Sequence, residues 1–194
     1  MISIYQFKSK FQQLLKPILN GMRNIGISPN QLTISAIVLS MGLGICLWQV
    51  NDFRLALIIV PIGLFVRMAL NALDGMMATQ YNLQSKKGEM LNEIGDVISD
   101  LCIYIPLIQL PNVNPIFVLL FVAITVLNEF AGVLAKVLSG VRRYDGPMGK
   151  SDRAFTVGIT LILLFYFPGL SSYLDIILVG SCVLMIISTF ARLK

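Results

Sequence analysis

Apolar runs of about 20 residues, divided by short polar stretches, constrain this chain more than any other feature of it. Lipid cannot hydrogen-bond a backbone, so a segment crossing a bilayer must satisfy its own N–H and C=O groups. A helix of about 20 apolar residues does so and spans the hydrocarbon layer. Six such segments fit, at 31–50, 55–79, 88–110, 115–138, 153–168 and 172–191. Asn51 and Asp52 end the first, Pro111, Asn112, Asn114 and Pro115 separate the third from the fourth, and Pro168, Gly169, Ser171 and Ser172 separate the fifth from the sixth. Composition agrees. The chain is 56% hydrophobic and 13% charged, whereas soluble domains carry roughly a quarter charged residues. The expected fold is all-α: a polytopic membrane protein with six transmembrane helices, forming one domain over 1–194, with the bundle at 31–191.

Residues 1–28 read differently. Phe7, Phe11, Leu14, Leu15, Ile18 and Met22 recur at helical spacing opposite Lys8, Gln12 and Lys16. This predicts an interfacial amphipathic helix, bent at Pro17. The segment is too polar for a secretory signal peptide and shows no small-residue cleavage pattern.

Basic residues near span ends stay on the cytoplasmic side. Lys8, Lys10, Lys16 and Arg23 precede the first span, and Lys86 and Lys87 follow the second. Lys136, Arg142, Arg143, Lys150 and Arg153 surround the loop after the fourth, and Arg192 and Lys194 close the chain. Arg54 alone lies on the other side. Both termini are therefore expected in the cytoplasm, in a multi-pass protein of the plasma or inner membrane. The net charge of +5 follows from this asymmetry and suits anionic lipid headgroups, not nucleic acid. Trp48, near the outer end of the first span, fits an aromatic belt. Cys46, Cys102 and Cys182 are isolated inside spans without metal-type spacing, and the chain has no histidine. Imidazole-based nucleophile activation and metal ligation are thus excluded.

The stretch Asn71 to Asp100, "NALDGMMATQYNLQSKKGEMLNEIGDVISD", runs against the rest. It holds Asp74, Glu89, Glu93, Asp96 and Asp100, half of the ten carboxylates. At about 100° per residue, Arg67, Asn71, Asp74 and Ala78 of the second span lie within roughly 60°, with Gly75 beside them. Glu89, Asn92, Glu93, Asp96 and Asp100 of the third span lie within about 100°. Charge facing lipid is costly, so the two stripes are expected to face each other or a wet cavity. Facing oxygen-bearing helices are how a bundle holds a hard cation. Small residues at 75 and 78 let a flat or phosphorylated ligand approach the backbone. The competing reading is that these polar groups only bind the helices together.

In these residues the chain resembles the CDP-alcohol phosphotransferases, whose signature is DxxDGxxAR(x8)GxxxDxxxD. Asn71, Asp74, Gly75, Ala78, Thr79, Gly88, Asn92 and Asp96 occupy its eight defined positions without a gap; five agree, and Asn71, Thr79 and Asn92 differ. Six spans, the amphipathic N-terminus and the segment Pro29-Asn30-Gln31-Leu32-Thr33 extend the resemblance over the whole chain. It implies a membrane enzyme that moves a phosphatidyl or phospho-alcohol group from a CDP-linked donor to an alcohol acceptor, releasing CMP, in phospholipid biosynthesis. It further implies Mg²⁺ or Mn²⁺ in a two-metal site, with Asp74 as a ligand and Asp96 as ligand and general base. Gly75, Ala78, Thr79, Asn30, Thr33 and Gly88 would lie along the CDP donor, and a homodimer is implied by the resemblance alone. Asn71 and Asn92 stand where the family has metal-ligating aspartates; their amide oxygens can still coordinate the metal, but the defined site drops from four negative charges to two. Glu93 and Asp100, on the same stripe, are expected to restore charge as further metal ligands.

A second cluster is "RRYDGPMGKSDR", residues 142–153. Ser151 is a plausible N-cap for the fifth span. Lys150 and Arg153 are expected either to obey the positive-inside rule or to bind a phosphate of the acceptor or headgroup, with Asp152 orienting one of them. Glu129 is expected to pair with Arg67, or with Asn128 to line the acceptor cavity. Two rivals stand beside the enzyme: a family member serving as a nucleotide- or lipid-binding scaffold, and a small membrane transporter. Polar positions confined to one half of two spans disfavour the transporter.

Overall fold

The computed structural model describes residues 4–194, with side chains described from Lys10 onward. Among the described residues seven α-helices follow one another: α1 (Ile4–Asn24), α2 (Pro29–Trp48), α3 (Ala56–Gln80), α4 (Lys86–Tyr104), α5 (Pro115–Ser139), α6 (Lys150–Tyr166) and α7 (Leu174–Leu193). Short 3₁₀ turns, Ile105–Gln109 and Pro168–Tyr173, extend α4 and lead into α7. No strand occurs among the described residues.

Local chemistry sets the helix starts. Ser28 caps α2: its Oγ accepts the Gln31 N–H at 3.4 Å, and the Gln31 side chain accepts the Ser28 N–H at 2.8 Å, ahead of Pro29. Ser85 Oγ accepts the Gly88 N–H at 3.0 Å to open α4, and Asn114 Oδ1 accepts the Ile116 N–H at 3.0 Å to open α5. Gly140, at φ 77°, ends α5 in the left-handed conformation that glycine adopts without strain.

Helices matching α2, α3, α5 and the Pro168–Leu193 unit are long and apolar enough to cross a membrane. Charge keeps α4 out of that group and length keeps α6 out. The sequence expectation of six apolar spans thus maps onto four such helices, with α4 and α6 packed among them. The packing order is α2 on α3 and α4, α3 on α6, and α5 on α7.

The bundle's apolar core lies toward one end, where Leu47, Val60, Ile103, Phe121, Leu161 and Met185 are buried. Polar links join the loops at that end: Asn51 Nδ2 donates to the Gln109 carbonyl at 3.1 Å, and Arg54 to that of Phe165 at 2.7 Å. Small residues at Ala36, Ser40 and Gly44 line the buried face of α2. A Cβ on Gly44 would stand 2.1 Å from the Cys102 carbonyl oxygen, so glycine there lets α4 close on α2.

α1 is one continuous helix through Pro17. Its apolar stripe divides. Leu15 and Leu19 are buried with Leu32, Leu73 and Met77, and Phe11 and Met22 pack against them, while Leu14 and Ile18 face outward. Phe7 and Lys8, part of the expected stripe, lie outside the described side chains.

Candidate functional site

The end of the bundle opposite the apolar core gathers the charge. Asp74 on α3 and Asp96 on α4 face one another through amides. Asn92 Nδ2 donates to Asp74 Oδ2 at 3.0 Å, and Asn71 Nδ2 to Asp96 Oδ1 at 3.4 Å. Thr33 Oγ1 of α2 donates to Asp74 Oδ2 at 2.9 Å. The two helical stripes predicted from phase therefore meet, with α2 as a third wall.

Helix phase accounts for this. Asn71 and Asp74 share one face of α3 three residues apart, Asn92 and Asp96 share one face of α4 four apart, and the five-residue turn 81–85 returns α4 along α3. Asp74 is buried, and Asn71, Asn92 and Asp96 are half-buried. Gly75 and Thr79 are exposed beside them, and nothing lies within 4 Å of where a Gly75 Cβ would sit. Thr79 turns its hydroxyl back to the Gly75 carbonyl at 2.8 Å. Ala78 is half-buried on the same helix. Gly88 lets α4 start against α2: a Cβ there would stand 2.8 Å from Asn30 Oδ1. A largely apolar groove of about 430 Å³, lined by Met22, Ile27, Leu32, Ile34 and Leu70 with Gln31 and Ser35, lies between α1, α2 and α3.

Lys150 and Arg153 occupy positions that their placement in a basic loop did not suggest. Gly149, not Ser151, caps α6, its N–H donating to Asp152 Oδ2 at 2.8 Å. Asp152 therefore holds the helix start rather than either basic side chain. Lys150 becomes the first helical residue, and its ammonium pairs with Asp96 Oδ1. Arg153 is fully buried between Asp100 Oδ2 at 2.9 Å and Glu129 Oε1 at 2.7 Å, and accepts no solvent contact.

Glu93 and Asp100, expected beside Asp74 and Asp96 as further metal ligands, are each engaged by arginine. Asp100 is held by Arg67 Nη2 at 2.7 Å and by Arg153, and Glu93 pairs with Arg142. A carboxylate between two guanidiniums is already neutralised. Among the described residues no three Asp, Glu, His or Cys side chains form a metal-holding group. The oxygen donors that do converge are two carboxylates and two amides. The expected Glu129–Arg67 pair is corrected, since Glu129 binds Arg153 and Arg142. Asn128 packs inside, donating to the Met185 carbonyl and to Thr189 Oγ1, both at 3.1 Å.

Beyond Asp100 and Glu129 the arginines outnumber their acids. Arg67, Arg142, Arg153 and Arg192 face Glu93, Asp100 and Glu129, which leaves one positive charge over. Arg192 of α7 is the least compensated. It is buried, donates to the Asn128 carbonyl, and stands 3.9 Å from Glu129. The Nε atoms of Arg142, Arg153 and Arg192 are buried without a hydrogen-bond partner. Gly132 and Gly149 leave room around this group: a Cβ on Gly132 would stand 3.7 Å from Arg142 Nε, and one on Gly149 3.6 Å from Arg192 Nη2. Sequence reasoning missed Arg192, which read only as a basic residue at the chain's end; its position two residues from the last gave no sign that α7 buries it. Glu89 pairs with Lys136 across the opening between α4 and α5.

Residues 26–188 match the family model described as CDP-alcohol phosphatidyltransferase. The chain is 42% identical over 167 residues to "Inner membrane protein YnbA" of Escherichia coli (strain K12), covering 86% of this chain and 83% of that one. It is 27% identical over 95 residues to an uncharacterized protein of Aquifex aeolicus (strain VF5), covering 49% and 46%. The fold is similar to that of Mycobacterium tuberculosis phosphatidylinositol phosphate synthase (PgsA1) with CDP-DAG bound, at a TM-score of 0.76 and 19% identity, covering 93% of this chain and 92% of that one. The same synthase in complex with manganese and citrate gives a TM-score of 0.74 at 20% identity, with 91% and 86% covered.

Proposed function

This chain belongs to the CDP-alcohol phosphatidyltransferase family, and on that premise we propose an inner-membrane enzyme that transfers a phosphatidyl group from a CDP-linked lipid to an alcohol carrying an anionic group, releasing CMP. The observation that carries the reading is the meeting of Asp74 and Asp96 across α3 and α4, beside the open backbone at Gly75. The cytidine diphosphate lies against Gly75, Ala78 and Thr79, with Asn30, Thr33 and Gly88 at its edge. The lipid part of the donor takes the apolar groove along α2 and α3. CDP-DAG in the similarly folded synthase agrees with such a donor.

The donor set suits a hard divalent cation. Asp74 and Asp96 supply two negative charges, and a half-turn of the Asn71 or Asn92 amide presents oxygen in place of nitrogen. Mg²⁺ or Mn²⁺ bound there would neutralise charge on the diphosphate as CMP leaves. The steps proper to this chain are proton transfer and positioning. Asp96 takes the proton of the acceptor hydroxyl; the oxygen attacks the phosphorus bearing the lipid group, and the bond from that phosphorus to the CMP oxygen breaks. Arg142 and Arg192 hold the acceptor's anionic group through charge-assisted hydrogen bonds, with Arg153 fixing the acids beneath them.

In the membrane α4 and α6 complete six spans, shielded by the four apolar ones, and α1 lies at the interface with Leu14 and Ile18 in the lipid. Both termini and the site face the cytoplasm. Asn71, Thr79 and Asn92 favour one second reading, a nucleotide- and lipid-binding scaffold without turnover. Purified protein with CDP-diacylglycerol, Mn²⁺ and a panel of phosphorylated and neutral alcohols separates the two. CMP release is expected with a phosphorylated acceptor and is expected to fall by about 10²–10⁴-fold in Asp96→Asn. Donor binding without CMP release from any acceptor would establish the scaffold instead.

A further inference from the structure

Two observations at the carboxylate pair point the same way. The first is chemical: Asn71 and Asn92 leave Asp74 and Asp96 as the only carboxylates joined by that hydrogen-bond network, since Glu93 and Asp100 are held by arginines. Each carboxylate, with an amide oxygen beside it, is a seat for one divalent cation. The second is geometric. α6 begins at Lys150 because Gly149 is its cap, and this start sets the ammonium on Asp96 Oδ1, the same oxygen that receives the Asn71 amide. A positive charge is thus already seated at one of the two carboxylates, contributed by a helix that carries neither of them. Asp74 has a different environment. Its Oδ2 receives a neutral hydroxyl and a neutral amide, from Thr33 and Asn92, and among the described residues no ion pair reaches it.

We infer that Lys150 is a built-in counter-cation for Asp96, and that this chain binds a single divalent ion, held through Asp74 with the amides of Asn71 and Asn92, where four aspartates would have held two. The inference rests on the reading of the site as a CDP-lipid site. It adds a specific division of labour. Asp96 is balanced by the protein itself, and the charge that the diphosphate meets is one divalent ion plus one ammonium. A lysine held by a helix start is always present, so the Asp96 side of the site is neutralised at any metal concentration, and metal dependence concerns Asp74 alone. Lys150 acts here through Asp96 and is a positioning residue.

The test counts metal ions on the full chain purified in detergent, independently of turnover. Titration with Mn²⁺, following free Mn²⁺ by electron paramagnetic resonance, is expected to give one tightly bound ion per chain with the spectrum of an isolated ion. Lys150→Met is expected to admit a second ion and to show an exchange-coupled pair, while Lys150→Arg stays at one. Asn71→Asp combined with Asn92→Asp gives a second determination should Lys150→Met fail to fold, and it is expected to bind two. A coupled pair in the unmodified protein would overturn the inference and leave the transferase reading standing. So would a count that stays at one in both Lys150→Met and the double aspartate variant. Absence of any Mn²⁺ binding to the unmodified protein would overturn the inference together with the metal-dependent transferase reading.

Discussion

Asp74 and Asp96 were legible from helical phase because a three- or four-residue spacing fixes which side chains share a face. Their neighbours were legible only in kind. Lys150 lies 54 residues from Asp96 along the chain and Arg192 lies 63 from Glu129 by position, and nothing local encodes such meetings. The misread partners share one cause. A carboxylate on a polar stripe takes whichever cation the tertiary packing supplies, and buried guanidiniums supplied it for Glu93, Asp100 and Glu129. Arg192 carries the prediction at this scale. Hydrogen bonds to a charged group contribute about 1.5–3 kcal/mol, or roughly 10–150-fold in an equilibrium. Arg192→Gln is therefore expected to raise KM for a phosphorylated acceptor by that range while KM for the CDP-lipid stays within about twofold. Equal weakening toward both substrates, in steady-state CMP release, would assign Arg192 to the fold alone.

Helix limits followed with errors of a few residues from the polar punctuation at Asn51, Asp52, Pro111, Asn114 and Pro168, and the structure adds Ser28, Ser85 and Gly140 as terminal signals with a local mechanism. The start of α6 was the exception. Glycine caps it and the acid at its third position supplies the acceptor, so the side-chain signal at Ser151 pointed two residues too far. The division of the α1 stripe was hidden for another reason: amphipathic periodicity cannot say whether an apolar face meets protein or lipid, and Leu15 and Leu19 meet α2 and α3 while Leu14 and Ile18 do not. Close helix contact is the element-scale property most open to test. Gly44 faces the Cys102 carbonyl at a distance no side chain tolerates, and that oxygen is backbone and cannot swing away. Gly44→Leu is expected to separate α2 from α4 and to cost about 1–3 kcal/mol or more, read as a lower unfolding temperature in detergent. Gly42→Leu on the same helix, where nothing lies within 4 Å, is the control expected to leave that temperature near its original value.

At the scale of the whole molecule, hydropathy foresaw a membrane bundle but counted α4 and α6 as ordinary spans. They share the candidate site with α3: α4 brings Asn92 and Asp96, and α6 brings Lys150 and Arg153. Among the described residues, the helices they pack against, α2, α3 and α5, are long and apolar enough to cross a membrane. The connecting segments divide in the same way. Turns 81–85 and 140–149 lie at the charged end with both helix termini Asn24 and Leu193, while 49–55, 110–114 and 167–173 lie at the other, where Arg54 is the only Lys or Arg. The positive-inside bias is therefore carried by several loops at once, and no single substitution should invert it. Reporter fusions at the C-terminus, in 81–85 and in 140–149 are expected to score cytoplasmic, and those in 49–55, 110–114 and 167–173 external. Single-cysteine labelling gives an independent reading, with an impermeant thiol reagent reaching Asn51→Cys and Asn112→Cys from outside intact cells but not Gln84→Cys. External labelling of Gln84→Cys would place the carboxylate pair on the wrong side of the membrane for a cytoplasmic CDP-linked donor, and would remove the basis of the transferase reading at once.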